Sequence, residues 1–194
     1  MQKLLYLHGF RSGPQSVKAR QLRAHLARQG RAQDLWCEQL PPGPRDAIAT
    51  VAKVLEPALA QGTEVALAGS SLGGFYALHL AEKYGLRAAL INPAVVAPIS
   101  LDAYVGEHTH LYTGECFRFE PHHVEELKAL DVSAMTSPER YLVLLETGDE
   151  VLDWWQAVLR LRGANMVIRA GGDHSLQSFA DELPRLSAFL LPDR

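Results

Sequence analysis

The chain has 194 residues, 47% of them hydrophobic and 21% charged, and 19 Lys and Arg stand against 22 Asp and Glu for a formal net charge of −3. A chain of this size can bury about 70% of its extended surface, enough for one sizeable core and too little for two full domains. The acidic balance leaves no basic footprint for counterion-driven nucleic-acid binding, and two isolated cysteines, Cys37 and Cys116, suit a reducing compartment better than a disulfide framework.

Lys3-Leu4-Leu5-Tyr6-Leu7 is a short apolar run ended by His8-Gly9, long enough for a strand and too short for a helix or a signal-peptide core. No window holds the roughly 18 apolar residues of a membrane span, so the expectation is a cytoplasmic protein without one. Beyond Pro14, Ala19, Leu22 and Leu26 recur at helical spacing until Gly30, with Lys18, Arg20, Arg23 and Arg28 on the other face. Residues 34–38 suit a second strand, and Pro41-Pro42-Gly43-Pro44 bars any regular element from crossing it. A helix is expected from about Arg45, with Pro57 as its kink or stop.

Residues 63–68 predict a third strand, and Gly69 to Gly74 separate it from a helix reaching about Tyr84, apolar around most of its circumference and hence buried. Residues 88–91, 141–145 and 166–170 predict three more strands. Helices over 150–162 and 175–190 follow the last two, and at least one of Trp154 and Trp155 is expected in the core. Six apolar strands alternating with helices argue for a parallel sheet covered on both faces. Residues 95–138 break this rhythm with one helical piece near Val124 to Leu130, and an insertion of that length is commonly a functional loop or a lid.

Gly69-Ser70-Ser71-Leu72-Gly73 matches G-x-S-x-G between an apolar strand and a buried helix, the setting of a nucleophile elbow. The frame selects Ser71, because centring on Ser70 would require glycine where Ala68 and Leu72 stand. A serine hydroxyl needs a base to take its proton and a third group to orient that base. In the chain order Ser, acid, His, Asp149 follows the fifth strand and His174 follows the sixth. Rivals are Glu146, Asp153 and Asp173 for the acid, and His8, His25, His79, His108, His110, His122 and His123 for the base, none of them so placed. Oxyanion donors are expected from the backbone N–H of Leu72, next to the nucleophile, and of Phe10, in the loop after the first strand.

The elbow and its flanks, together with Leu5-Tyr6-Leu7-His8-Gly9-Phe10, Lys18-Ala19, Asn92-Pro93-Ala94-Val95, Tyr112-Thr113-Gly114 and Thr147-Gly148-Asp149-Glu150-Val151-Leu152-Asp153, resemble the YqiA-type bacterial esterases over nearly the whole chain. The resemblance implies a three-layer α/β-hydrolase fold with activity on carboxyl esters, extending to acyl-CoA thioesters, and carries over at Ser71, Asp149 and His174. Where such proteins often read Gly-Gly-Asn-His, this chain has Asp173 beside His174. The expected architecture is a single domain over 1–194, a reduced six-stranded parallel sheet with helices on both faces and a lid-like insert at about 95–138.

The insert's histidines match no common zinc spacing and a serine triad needs no metal, so neither metal nor cofactor is expected. Tyr104, Tyr112, Phe117 and Phe119 are candidates for lining a substrate pocket or for holding the lid together. The first 33 residues carry seven Lys or Arg and no acid, a distribution read mainly as a solvated face, with attraction of an anionic substrate as the alternative. The expected function is a serine esterase acting on a small-molecule ester or thioester; a catalytically silent protein of the same fold is the alternative.

Overall fold

The computed structural model describes residues 1–95 and 104–192. In chain order the regular elements are β1 (Gln2–Leu7), α1 (Val17–Arg28), β2 (Leu35–Trp36), α2 (Pro44–Ala60), β3 (Glu64–Ser70), α3 (Leu72–Tyr84), β4 (Arg87–Ile91), β5 (Gly106–Thr109), β6 (Cys116–Phe119), α4 (Pro121–Ala129), β7 (Tyr141–Glu146), α5 (Trp154–Arg160), β8 (Asn165–Arg169) and α6 (Phe179–Leu190). The main sheet has six parallel strands, as expected, and their order is β2-β1-β3-β4-β7-β8. None of the described helices is long and apolar enough to cross a membrane.

Both sheet faces are covered, which is why the strands show no polar alternation. In β1, Leu5 and Leu7 enter one buried cluster, with Val51 and Leu55 of α2 and Leu80 of α3, while Leu4 and Tyr6 enter the other, with Leu22 and Leu26 of α1 and Leu186 of α6. β7 divides in the same way, Val143 and Leu145 on one face and Leu142 and Leu144 on the other. The chain moves outward from β1 to β2 and then crosses to β3 on the other side. This reversal opens a crevice at the carboxyl ends of β1 and β3, where sheets of this type bind ligands.

Several boundaries differ from the sequence reading, each for a local reason. α1 starts at Val17, three residues past Pro14, because the Ser16 hydroxyl accepts the Ala19 N–H as an N-cap. α2 continues one turn past Pro57, closing where Gln61 N–H donates to Pro57 O and Thr63 N–H to Ala58 O. α5 starts at Trp154 rather than 150, since the Asp149 carboxylate holds the Val151 and Leu152 N–H groups in a turn and Asp153 caps Trp155. Neither tryptophan of this short helix is core: Trp155 is 50% exposed and Trp154 half-buried. α6 starts at Phe179 rather than 175, because Asp173 takes the Ser175 N–H and Glu146 takes those of Gln177 and Ser178.

Within the insert, 96–103 lie outside the described residues. The remainder contains the expected helix, α4, with a reciprocal capping box between Glu120 and His123. It also contains an antiparallel hairpin, β5–β6, that the sequence reading did not foresee. The hairpin is tied to the loop after β1: Arg11 Nε donates to Thr109 O at 3.1 Å, and Leu111 N–H donates to Arg11 O at 2.8 Å. α4 rests on α2 through the buried Val124 and Leu127, with Glu126 accepting the Arg45 N–H.

Candidate active site

β3 ends in a turn too tight for side chains at its flanking positions. A Cβ at Gly69 would lie 2.0 Å from Gly73 O, and one at Gly73 would lie 2.0 Å from Leu7 O, so strand, helix and the end of β1 pack backbone to backbone. The residue at the apex, Ser71, has φ 56° and ψ −122°, a conformation non-glycine residues avoid unless the surroundings impose it. Ser71 N–H donates to Ile91 O, while its carbonyl accepts from Gly74, Phe75 and Ala94. The fixed turn leaves the hydroxyl facing the crevice.

The loops after β7 and β8 bring two further side chains to that hydroxyl. His174 Nε2 lies 3.0 Å from Ser71 Oγ, and His174 Nδ1 lies 2.8 Å from Asp149 Oδ2 and 3.0 Å from Oδ1. The network fits one tautomer: Nδ1–H donates to the carboxylate, and Nε2 accepts the serine proton. Asp149 is buried to 2% side-chain exposure against 22% for His174. Burial works to raise the Asp149 pKa, but the hydrogen bond from His174 and the N–H groups of Leu152 and Val151 outweigh it and hold the carboxyl below its ordinary value.

The other acids face elsewhere. Asp153 caps α5, and Asp173 turns its carboxylate to Ser175 and Gln177, away from the neighbouring imidazole. Glu146 ends β7 with a carboxylate that accepts the N–H groups of Asp173, Gln177 and Ser178 at 2.8 to 2.9 Å. Burial opposes its charge, and the Ser178, Asp173 and Gln177 bonds overcome that and keep its pKa below the usual range.

Asn92, at φ 37°, completes the support: its Oδ1 accepts the Glu146 N–H, and its Nδ2 donates to the carbonyls of Asp173 and His174. Glu150 accepts the His174 N–H at 2.9 Å, and Lys18 of α1 donates to Ser175 O at 2.7 Å. Sequence reasoning missed these positioning roles. A charged residue closing an apolar strand and an Asn-Pro pair after β4 were the available signals.

The remaining histidines are engaged away from Ser71. His8 lies beneath the loop after β1, its Nε2 accepting the Leu40 N–H at 2.9 Å and its Nδ1 within 3.0 Å of Gly9 O. His25 pairs with Ser187, His79 with Leu130 O, His108 with Tyr104 O, and His123 accepts the Glu120 N–H. His110 packs on the Phe117 ring and His122 on that of His123. Among the described residues no group of three His, Cys, Asp or Glu side chains could hold a metal ion.

Phe10 and Leu72 both border the space above Ser71. Neither backbone N–H donates to a protein group among the described residues, so both remain free to serve a bound ligand. That space is a cavity of about 300 Å³ under the insert. Of the four aromatic candidates, Tyr104 and Phe119 line it, whereas Tyr112 faces a second cavity and Phe117 a small third one. The reason is packing: the Phe10 ring meets Tyr104, Phe117 and Phe119 edge-on at 5.4 to 5.7 Å, so these aromatics brace the insert against the loop after β1. Leu111, Val151 and Leu152 also line the main cavity and were not singled out from sequence. Val151-Leu152, an apolar pair beside Asp149, was the signal for two of them.

Comparisons with known proteins agree with this architecture. Residues 3–191 match the uncharacterised protein family UPF0227. Est1E from Butyrivibrio proteoclasticus, solved with ferulic acid bound, is similar with a TM-score of 0.73 and 12% identity over 98% of this chain and 88% of that one. The mouse alpha/beta hydrolase domain-containing protein 10 gives 0.68 and 17% over 93% and 86%, and an esterase domain from Rhodothermus marinus gives 0.65 and 21% over 96% and 85%. At such identities the likeness establishes the fold, that of the α/β hydrolases.

Proposed function

The chain belongs to the UPF0227 family of YqiA-type proteins, and from that membership and the geometry around Ser71 we propose that it is a serine ester hydrolase working through an acyl-enzyme. One observation carries the reading: Ser71 Oγ, the His174 imidazole and the Asp149 carboxylate form a continuous hydrogen-bonded line at 3.0 and 2.8 Å, ending beside two uncommitted N–H groups.

In this reading His174 takes the Ser71 proton as Oγ attacks the ester carbonyl. The N–H groups of Phe10 and Leu72 receive the developing oxyanion, a contribution of about 10² to 10³ in rate per donor. His174 then returns the proton to the departing alcohol, leaving the acyl group on Ser71. Water, deprotonated by the same imidazole, releases the acid. Asp149 holds the tautomer throughout. The cavity of about 300 Å³ takes the acyl chain, with Tyr104 and Phe119 as its aromatic walls and the insert as its lid. Thioesters suit the same chemistry, because the attack by Ser71 and the oxyanion donors engage a carbonyl that both substrates share.

The test is hydrolysis of p-nitrophenyl butyrate by wild type and Ser71→Ala. The reading requires measurable turnover that falls by about 10⁴ or more in the variant; an unchanged rate rejects it.

A further inference from the structure

Ser71 is approached from two sides by cavities of different chemistry. The first is walled by carbon from Phe10, Leu72, Leu111, Phe119 and Leu152. The second, of about 430 Å³, runs from Ser71 and His174 toward α1, where Ser12, Gln21 and Tyr112 border it. Among the described residues the side chains of these three make no hydrogen bond, although each carries a donor and an acceptor.

The charges beside this groove cancel. Lys18 and Glu150, both in its wall, are opposite in sign and already committed to Ser175 O and His174 N–H. The Lys18 ammonium also faces the carboxylates of Asp173, Glu146 and Asp149. A phosphate or carboxylate on the substrate would find one cation, Lys18, already facing three carboxylates, and would meet Glu150. A hydrocarbon group would meet Val17 and Leu111 but strip water from Ser12, Gln21 and Tyr112 without replacing their hydrogen bonds, a poorer exchange than a hydroxylated group offers.

We infer that the groove between α1 and the His174 loop takes the alcohol arm of the ester and is built for an uncharged, polyhydroxylated leaving group of glycerol or sugar type. The inference rests on the esterase reading and gives it a substrate class. The acyl arm lies in the apolar cavity and the carbonyl at Ser71. The C–O bond to the polyol breaks as the Ser71 ester forms, and the His174 proton passes to the polyol oxygen. Ser12, Gln21 and Tyr112 hydrogen-bond the hydroxyls that remain.

The experiment compares ethyl butyrate, 1-monobutyrylglycerol and 1-butyrylglycerol 3-phosphate on wild type and Gln21→Leu. Each hydrogen bond gained is worth about fivefold, so kcat/KM for the glyceryl ester should exceed that for the ethyl ester by at least about tenfold with two such bonds. The phosphorylated ester should fall below the glyceryl ester. Gln21→Leu, a substitution a helix accommodates, should lower the glyceryl-to-ethyl ratio about fivefold with an unchanged far-UV circular dichroism spectrum. Equal rates on the glyceryl and ethyl esters, or preference for the phosphorylated one, overturn the inference and leave the esterase reading standing. Absence of turnover on all three while p-nitrophenyl butyrate is hydrolysed overturns the inference alone; absence on that ester as well overturns both.

Discussion

The Glu146 carboxylate accepts the backbone N–H of Asp173 at 2.9 Å, so the residue that closes β7 fixes the loop that delivers His174. Two more N–H groups, from Gln177 and Ser178, converge on the same carboxylate. Glu146→Gln places an amide N–H₂ among three donors and should destabilise the protein by about 3 kcal/mol, with a parallel loss of kcat. Because the folded pKa of Glu146 lies below its unfolded value, its contribution is complete above the unfolded pKa and disappears as pH falls through the folded one. Urea titrations from neutral pH into the acid range should show a smaller pH dependence in the variant. Equal stability of the two proteins would contradict this role.

Asp149→Asn keeps the size of the acid and its ability to accept the Val151 and Leu152 N–H groups, yet presents an amide donor to His174 Nδ1. The imidazole then favours the tautomer that cannot accept the Ser71 proton. A fall in kcat of about 10³ to 10⁴ is expected with little change in melting temperature. Retention of wild-type kcat would show that Asp149 does not hold the imidazole.

Lys18 has a pKa lowered to about 8 by burial, against which the carboxylates of Asp173, Glu146 and Asp149 pull upward. A lysine depressed in the folded state binds fewer protons there than in the unfolded chain between about pH 8 and about pH 10.4. Stability from this group therefore rises with pH across that window. The difference in unfolding free energy between wild type and Lys18→Met should shift toward wild type from pH 8 to 10; parallel curves would refute the assignment.

Phe10→Ala removes the ring on which Tyr104, Phe117 and Phe119 converge. A loss of about 2 to 3 kcal/mol is expected for a partly buried aromatic. Activity should fall further than stability explains, because the loop presenting the Phe10 N–H loses its contact with the insert. Denaturation curves and kcat/KM along a series of acyl lengths measure both, and an unaltered kcat/KM series would argue against the brace.

The parts of this fold legible in the sequence are those dictated by local pattern. Apolar runs too short for helices marked five of the six sheet strands closely, and the glycines at 69 and 73 marked the turn that aims Ser71. The starts of α5 and α6 were misread because Asp149, Asp173 and Glu146 divert N–H groups that periodicity alone assigns to helix. The β5–β6 hairpin escaped because its four-residue strands, Gly106–Thr109 and Cys116–Phe119, are largely exposed and carry little apolar alternation. Asn92 and Glu146 act 54 residues apart, a relationship no single segment expresses.

Fluorophosphonate labelling, read by intact-protein and peptide mass, tests whether Ser71 is the nucleophile and His174 its base. Wild type should take up one phosphonyl group, on Ser71, while Ser71→Ala and His174→Ala should remain unlabelled over the same interval. Labelling of Ser71→Ala at the wild-type rate, or labelling of Ser71 that does not depend on His174, would contradict these roles.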